Sequence, residues 1–356
     1  MKHFSILIVF ITIMSSCETR IEEYVCTPCD LDCDTLIFSE AGICPHCNMA
    51  LIKKADLDKM NQTIISGDLQ INYEFLDEES LENEAEFTDV ITKSFAIYKG
   101  LFGGNPRDTL DATYTDFTIK VSKTKDSGGE ADPKSIMFNW SENSTLGYGS
   151  WKSVLMHELF HLWNGETIRY KNGEEHWFNE GFSEFYTFQT AVRMGIVSPE
   201  EMLSTSALSL GYYTGSKGLG NISMRNAGVD DITKFENFFL VYHGGWITAM
   251  VLDIDIRSRT NNGKSLDDLM KWLYANFLRS EKLYDTNDII NGIKITTGLD
   301  YTEFFNKYIF GTEAIPVATY FDPGKALWDY KWNDEKKAAH KFYYQTLGIG
   351  ITGVVN

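Results

Sequence analysis

The stretch HELFHLWNGETIRYKNGEEHWFNEGFSEFY, residues 157–186, constrains this chain more than any other. His157 and His161 are four residues apart, Glu158 sits beside the first, and Glu180 follows downstream. Ser150 can cap a helix that runs through WKSVLMHELFHLWN and stops at Gly165. Residues four apart share one helical face, with Cβ atoms about 5–6 Å apart, so both imidazoles can reach one ion. A second helix is expected from about Glu175 to Met194, ending at Gly195, with Glu180 in its first turns. Gly181 is expected to let the two helices approach closely. Two His and one Glu make a zinc site with a fourth position left for water. Glu158 can reach that water, and Glu184, one turn beyond Glu180, can accept from a ligand His N–H. The bland alternative is an amphipathic helix pair with incidental His and Glu. H-E-x-x-H is short enough to occur by chance, but a Glu placed inside Asn179-Glu180-Gly181-Phe182 makes accident a poor account. His176, His243 and His340 are isolated and read as surface or satisfied core residues; His46 sits among cysteines and His3 in the leader.

The chain has 356 residues and 43% hydrophobic content, enough for a sizeable core. A net charge of −18 argues against a nucleic-acid partner. At the N-terminus, Lys2 precedes an apolar run from Phe4 to Met14, too short to span a bilayer comfortably. Ser15 and Ser16 then precede Cys17. Residues 1–16 resemble a bacterial lipoprotein signal, with Cys17 lipidated and 17–23 forming a short linker; the alternative is an ordinary secretory signal cut nearby. Either way the mature protein leaves the cytoplasm. In the first case lipid holds it to a membrane, at the periplasmic face or the cell surface. No other segment is read as long and apolar enough to cross a membrane.

Five further cysteines fall between Cys26 and Cys47. Cys26 and Cys29 form one C-x-x-C, Cys44 and Cys47 another, and Cys33 is odd. Two such knuckles can place four thiolates around one tetrahedral ion with no open position, which suits a structural zinc. A disulfide knot is the alternative, but five cysteines cannot all pair. Tyr24-x-Cys26 and Gly42-x-Cys44-Pro45-x-Cys47-x-Met49-x-Leu51 resemble the small heavy-metal-binding domain, here over residues 24–54. That family commonly has His where this chain has Cys29.

Residues His157-Glu158-x-Phe160-His161-x-Trp163-Asn164, Ile168-Arg169 and Trp177-x-x-Glu180-Gly181-Phe182 resemble the gluzincin peptidases, and most of all the glycyl aminopeptidases. Two further blocks agree, one from Tyr242 and one from Phe304, so the resemblance spans about residues 90–320. It implies a peptidase domain over 62–345 on peptide substrates, with His157, His161 and Glu180 holding a catalytic zinc and Glu158 as general base. It also implies that Tyr242 donates to the oxyanion. The block from Tyr242 reads as a long helix with Val241, Ile247, Met250, Val251 and Ile254 as its apolar stripe. Gly244 and Gly245 inside it cost about 1 kcal/mol each relative to Ala, so close packing beside the active-site helices is expected. Against the family's pattern, neither its large N-terminal β-domain nor its peptide-binding module is expected in this sequence. The family's Gly-Gly-x-Glu strand, whose Glu holds the substrate amine, is met by SGGEADPKSIMFNW. There Gly128 and Gly129 match, but Glu130 stands one position early and Ala131 occupies the place of the Glu. Glu130 is the nearest substrate-binding candidate.

Residues 55–64 read as a linker, strands are expected over 65–76, 114–123 and 135–140, and EFTDVITKSFAIYKGLFGG reads as helix. The final FYYQTLGIGITGVVN reads as strand. The expected fold is α+β and thermolysin-like, with a β-rich part (65–149) before a mainly helical one (150–345), preceded by the Cys-rich ribbon. The expected activity is zinc-dependent peptide hydrolysis, by an aminopeptidase. The alternatives are an endopeptidase with the same centre, or a non-enzymatic metal-binding lipoprotein on a degenerate peptidase fold.

Overall fold

The computed structural model describes residues 22–26, 31–143 and 150–320. The leader with Cys17, the position of Cys29, His340 and the expected terminal strand lie outside the described residues. Two compact units divide at Asn61 and Gln62.

The first unit carries a three-stranded sheet with β1 (Tyr24–Cys26) between β2 (Ile37–Phe38) and β3 (Leu51–Lys53), both antiparallel to it. Its interior is sulfur: Cys26, Cys33 and Cys44 are buried, with Phe38, Cys47 and Leu51 packed against them. Residues 55–64, expected as linker, instead form helix α1 (Lys54–Met60) and most of strand β4 (Asn61–Ser66).

The second unit opens with a five-stranded sheet in the order β4-β5-β6-β8-β7. The strands after β4 are β5 (Leu69–Phe75), β6 (Asp116–Lys123), β7 (Gly128–Asp132) and β8 (Ser135–Trp140). The expected strand 65–76 is thus two, broken where Gly67 takes a left-handed turn conformation at φ 65°. β5, β6 and β8 are parallel, and β7 turns back antiparallel to β8 at the edge. Alternation along β5 and β8 sends Ile71, Tyr73, Ile136, Phe138 and Trp140 into the core. Between β5 and β6 come α2 (Glu78–Glu82) and the expected long helix, α3 (Glu84–Phe102). Helix α3 buries Phe87, Ile91, Phe95, Tyr98 and Phe102 along one face and ends at Gly103 in the left-handed region.

From residue 150 the described chain is helical: α4 (Trp151–His161), α5 (His176–Arg193), α6 (Pro199–Thr214), α7 (Met224–Ala227) and α8 (Asp231–Glu236). A π-helical turn (Phe239–His243) leads into α9 (Gly244–Arg259), followed by α10 (Leu266–Asn276), α11 (Thr286–Thr297), α12 (Thr302–Tyr308) and α13 (Val317–Tyr320). The expected α+β order, strands before helices, is realised. Phe239–Arg259 is long and apolar enough to cross a membrane by length and composition, contrary to expectation. It is 83% buried within the protein, as a core helix is.

The π turn and α9 position the site helices. A Cβ on Gly245 would stand 2.0 Å from the Trp177 carbonyl oxygen, and one on Gly181 would stand 2.3 Å from Gly245 Cα. Gly181 therefore serves an approach of α5 to α9, rather than of α5 to α4 as expected. This contact gives Gly181 and Gly245 a reason that outweighs their cost to the helices. Gly245→Ala should force the helices apart and lower stability by about 1–3 kcal/mol. Urea unfolding checks this; an unchanged midpoint would show that the contact yields freely.

Candidate active site

Helix α4 begins at Ser150, whose hydroxyl accepts from Lys152 N–H at 3.3 Å. The helix carries His157, Glu158 and His161 on its buried side, and Tyr98 from α3 donates to the Met156 carbonyl at 3.1 Å. Helix α5 brings Glu180 opposite them. His157 Nε2 and His161 Nε2 lie 2.9 Å apart, and Glu180 Oε2 is 3.4 Å from the first and 3.5 Å from the second. The three expected ligands therefore converge on one point.

The other ring nitrogens show which way these groups face. His161 Nδ1 is 2.9 Å from the Asn164 carbonyl, which can only accept, so Nδ1 holds the hydrogen and Nε2 presents a lone pair. His157 Nδ1 lies 3.3 Å from Glu184 Oε1, a charge contact not aligned as a hydrogen bond. The same tautomer is favoured there. Two bare nitrogens and a carboxylate oxygen then face one another in a buried place. No shared hydrogen can satisfy all three, and a divalent cation can. Two imidazoles and one carboxylate suit zinc. The local charge demand shows in His157 itself. Burial works against its protonation, yet Glu184, Glu180 and Glu158 outweigh it and push it up to about 9. Burial also opposes the charge on Glu180, but its bonds to the two imidazoles hold its carboxyl well below the usual range.

Asn164 locks the arrangement, a part that sequence reasoning missed. Its carbonyl orients His161, and its side-chain amide donates to the Asn179 carbonyl at 3.0 Å and to Ser183 Oγ at 3.3 Å on α5. One residue thus ties the end of the His helix to the Glu helix. Its appearance in the Trp163-Asn164 pair was the available signal.

Glu158 points into a cleft of about 550 Å³ that also exposes the metal ligands. Its carboxylate has no hydrogen-bond or ion-pair partner among the described residues, and burial raises its pKa. Strand β7 forms part of the cleft wall. A Cβ on Gly129 would stand 2.5 Å from Glu158 Cγ, so only glycine leaves Glu158 its place. Along a strand, side chains alternate. Gly129 and Ala131 face Glu158, whereas Glu130, paired with the half-exposed Met137, faces away at the cleft rim. Glu130 is thus in the cleft wall but not on the side of the reacting centre. No strand of the described residues pairs with the outer edge of β7.

Tyr242 lines the same cleft from the π turn, stacked on Phe238 at 4.1 Å. Burial, with the carboxylates of Glu180, Glu158 and Glu184, raises its pKa far above the ordinary value and keeps its proton on. A π turn before a regular helix is a frequent feature of functional sites. His176, read as isolated, also lines the cleft. It donates from Nδ1 to the Gly228 carbonyl at 2.6 Å and accepts from Tyr170 at 3.0 Å. His243 is buried beside Ser209, 3.1 Å away, as the expectation of a satisfied core residue requires.

In the first unit, Cys26, Cys33, Cys44 and Cys47 place their sulfurs within 4.8 Å of one another. Cys33, read as the odd cysteine, is therefore a member of the described cluster. A four-thiolate cage fits a structural zinc or another soft cation. Cys26 Sγ, 3.0 Å from Cys47 Sγ, is the first cause that pulls Cys47 down to about 6, followed by the Met49 backbone.

Comparison with known proteins places this geometry. The M61 glycyl aminopeptidase family matches residues 150–244, the segment that carries α4, α5 and the π turn. No curated protein matches the chain. A solved aminopeptidase N family protein from Idiomarina loihiensis superposes with a TM-score of 0.63 at 18% identity, over 74% of this chain and 48% of that one. The chain thus spans about half the length of that protein, and the likeness is one of fold. Residues 150–244 are thus similar to the M61 glycyl aminopeptidases, and within them His157, His161 and Glu180 are grouped closely enough to hold one metal ion.

Proposed function

We propose that the protein hydrolyses peptides laid against the free edge of β7, close to their amino terminus. The observation that carries this reading is the convergence of His157, His161 and Glu180 beside the partnerless carboxylate of Glu158. His157, His161 and Glu180 would hold a zinc ion there, and it would supply Lewis acidity toward water and the scissile carbonyl. Glu158 accepts the proton of the attacking water and passes it to the leaving amine. Its raised pKa, set by burial, favours both halves of that exchange. Gly129 keeps the approach to Glu158 open, and the edge of β7 offers backbone groups to an extended peptide. Tyr242, held protonated, donates to the carbonyl oxygen as it gains charge. Glu184 and Asn164 keep the two imidazoles turned toward the ion.

The match to glycyl aminopeptidases supports action at a free amino terminus. One observation favours an endopeptidase instead. Ala131 occupies the inward-facing position next after Gly129, and Glu130 turns away, so β7 presents no carboxylate to an amine on that side. Peptide substrates with free and blocked amino termini separate the two readings. The sequence pattern at residues 1–17 supports export as a lipoprotein, and the cysteine cage of the first unit is read as structural.

Glu158→Gln should keep its zinc and lose nearly all turnover; retained hydrolysis would sink the assignment of the base. Tyr242→Phe should lower kcat by about 10²–10³ with little change in KM, the usual cost of one oxyanion donor. Metal analysis should find two ions per chain. Cys33→Ser should lower the count toward one while leaving the ion at His157, His161 and Glu180; a count unchanged at two would remove Cys33 from the ligand set.

A further inference from the structure

The cleft has an unusual balance of free charge. Three carboxylates on its walls are committed: Glu180 to the two imidazoles, Glu184 to His157, and Glu166 to Arg169 and to Arg279. Glu158 is reserved for the proton, and Glu130 faces away. Two cations, by contrast, keep unused donors. Lys234, on α8, lines the cleft with its side chain 23% exposed. Its nearest carboxylate oxygens are Asp231 Oδ1 at 3.7 Å and Glu180 Oε1 at 3.9 Å, both beyond hydrogen-bond reach. Arg169 also lines the cleft, 41% exposed, and uses only Nη1 on Glu166. Its guanidinium therefore keeps donors in hand.

Lys234 is placed for more than steadying Glu180. Glu180 turns Oε2 to the imidazoles and Oε1 toward Lys234, so the ammonium lies one carboxylate away from the reacting centre. Both ion pairs of this partly buried ammonium are longer than a hydrogen bond, so its donors stay open to a carboxylate of the bound molecule.

We propose that this cleft selects peptides carrying a carboxylate next to the scissile bond, held by Lys234 and assisted by Arg169. The proposal rests on the peptidase reading and names the substrate class that reading leaves open. The carboxylate can come from an Asp or Glu side chain or from a nearby carboxyl terminus, and both sources offer the same two oxygens to the same donors.

The test uses the full chain with zinc bound, in the Glu158→Gln form, so that binding is read without turnover. Four matched short peptides are titrated by calorimetry: Glu against Gln at the residues flanking the expected cut, and a free carboxyl terminus against its amide. An acidic member should bind at least about tenfold tighter than its neutral partner, the scale of one charge-assisted bond. Lys234→Gln on that background should bring the ratio near one with zinc content unchanged, and Lys234→Arg should restore most of it. The pair that shows the preference identifies the source of the carboxylate. Equal binding of acidic and neutral peptides overturns the proposal. So does an acid preference that persists in Lys234→Gln, whether its zinc is kept or lost. Hydrolysis by the unmodified protein is scored separately. Acid-selective binding without any hydrolysis would topple the peptidase reading and leave the subsite standing, whereas hydrolysis blind to charge would do the reverse.

Discussion

Three electron-pair donors pressed within 3.5 Å of one another, in a place shielded from water, are the constraint on which the rest of the catalytic unit depends. That position calls for positive charge among the three groups, as the upward push on His157 shows, and a cation between them would supply it. The fold holds them together from three directions. Asn164 ties the end of α4 to α5, the glycine contact presses α5 onto α9, and α3 backs α4 through Tyr98 and the Met156 carbonyl. Behind Glu180, Glu175 buries its carboxylate at the start of α11, where it accepts from Thr286 N–H and Oγ. That bond fixes the chain one residue before α5 begins. A site that calls for positive charge among its donors is therefore set on an aromatic and hydrogen-bonded frame that keeps them in place.

The grouping of His157, His161 and Glu180 was legible because helix geometry is local. His157 and His161 share a face by a rule that needs only their spacing, and Glu180 needed one more helix whose end at Gly195 was itself readable. The strands were legible for the same reason, since alternation over 116–123 and 135–140 is written in consecutive residues. What could not be read depends on register or on distant pairing. Glu130 looked like a displaced amine anchor, but a one-residue shift in a strand moves a side chain to the other face, and only the pairing of Glu130 with Met137 reveals which. Gly181 was rightly marked as a close-approach residue, but its partner, Gly245, lies 64 residues on (245 − 181).

Cys33 shows how a strong pattern can hide a weaker one. Two C-x-x-C knuckles make a complete ligand set by spacing alone, so a fifth cysteine between them has no assigned place. In the folded unit, the short 3₁₀ turn at Asp32–Thr35 buries Cys33 against Cys26, and the sulfur joins the cluster. Lys234 was missed for a different reason. It lies on a six-residue helix without a motif, and nothing in its neighbours marks it as facing a cleft. Its position becomes visible only when α8 is seen beside Glu180 Oε1.

The two sides of the cleft then make different demands on a substrate. Along β7 the wall is small and neutral, Gly128, Gly129 and Ala131, with backbone groups at an unpaired edge; it can take an extended chain of almost any side chain at those positions. Elsewhere in the cleft lining, the groups that remain available are donors: Tyr242, Lys234 and Arg169. A centre that accumulates negative charge on the carbonyl oxygen gains from donors on that side, and so does a bound carboxylate. The same surplus of donors would repel an amino-terminal ammonium placed there. An ammonium would have to lie on the rim side, near Glu130, and an aminopeptidase reading requires the peptide to enter with its amino end pointing that way. On the proposed reading, the direction of the chain along β7 would be tied to the charge of the cleft, with the amino end toward the rim and the carboxylate toward Lys234.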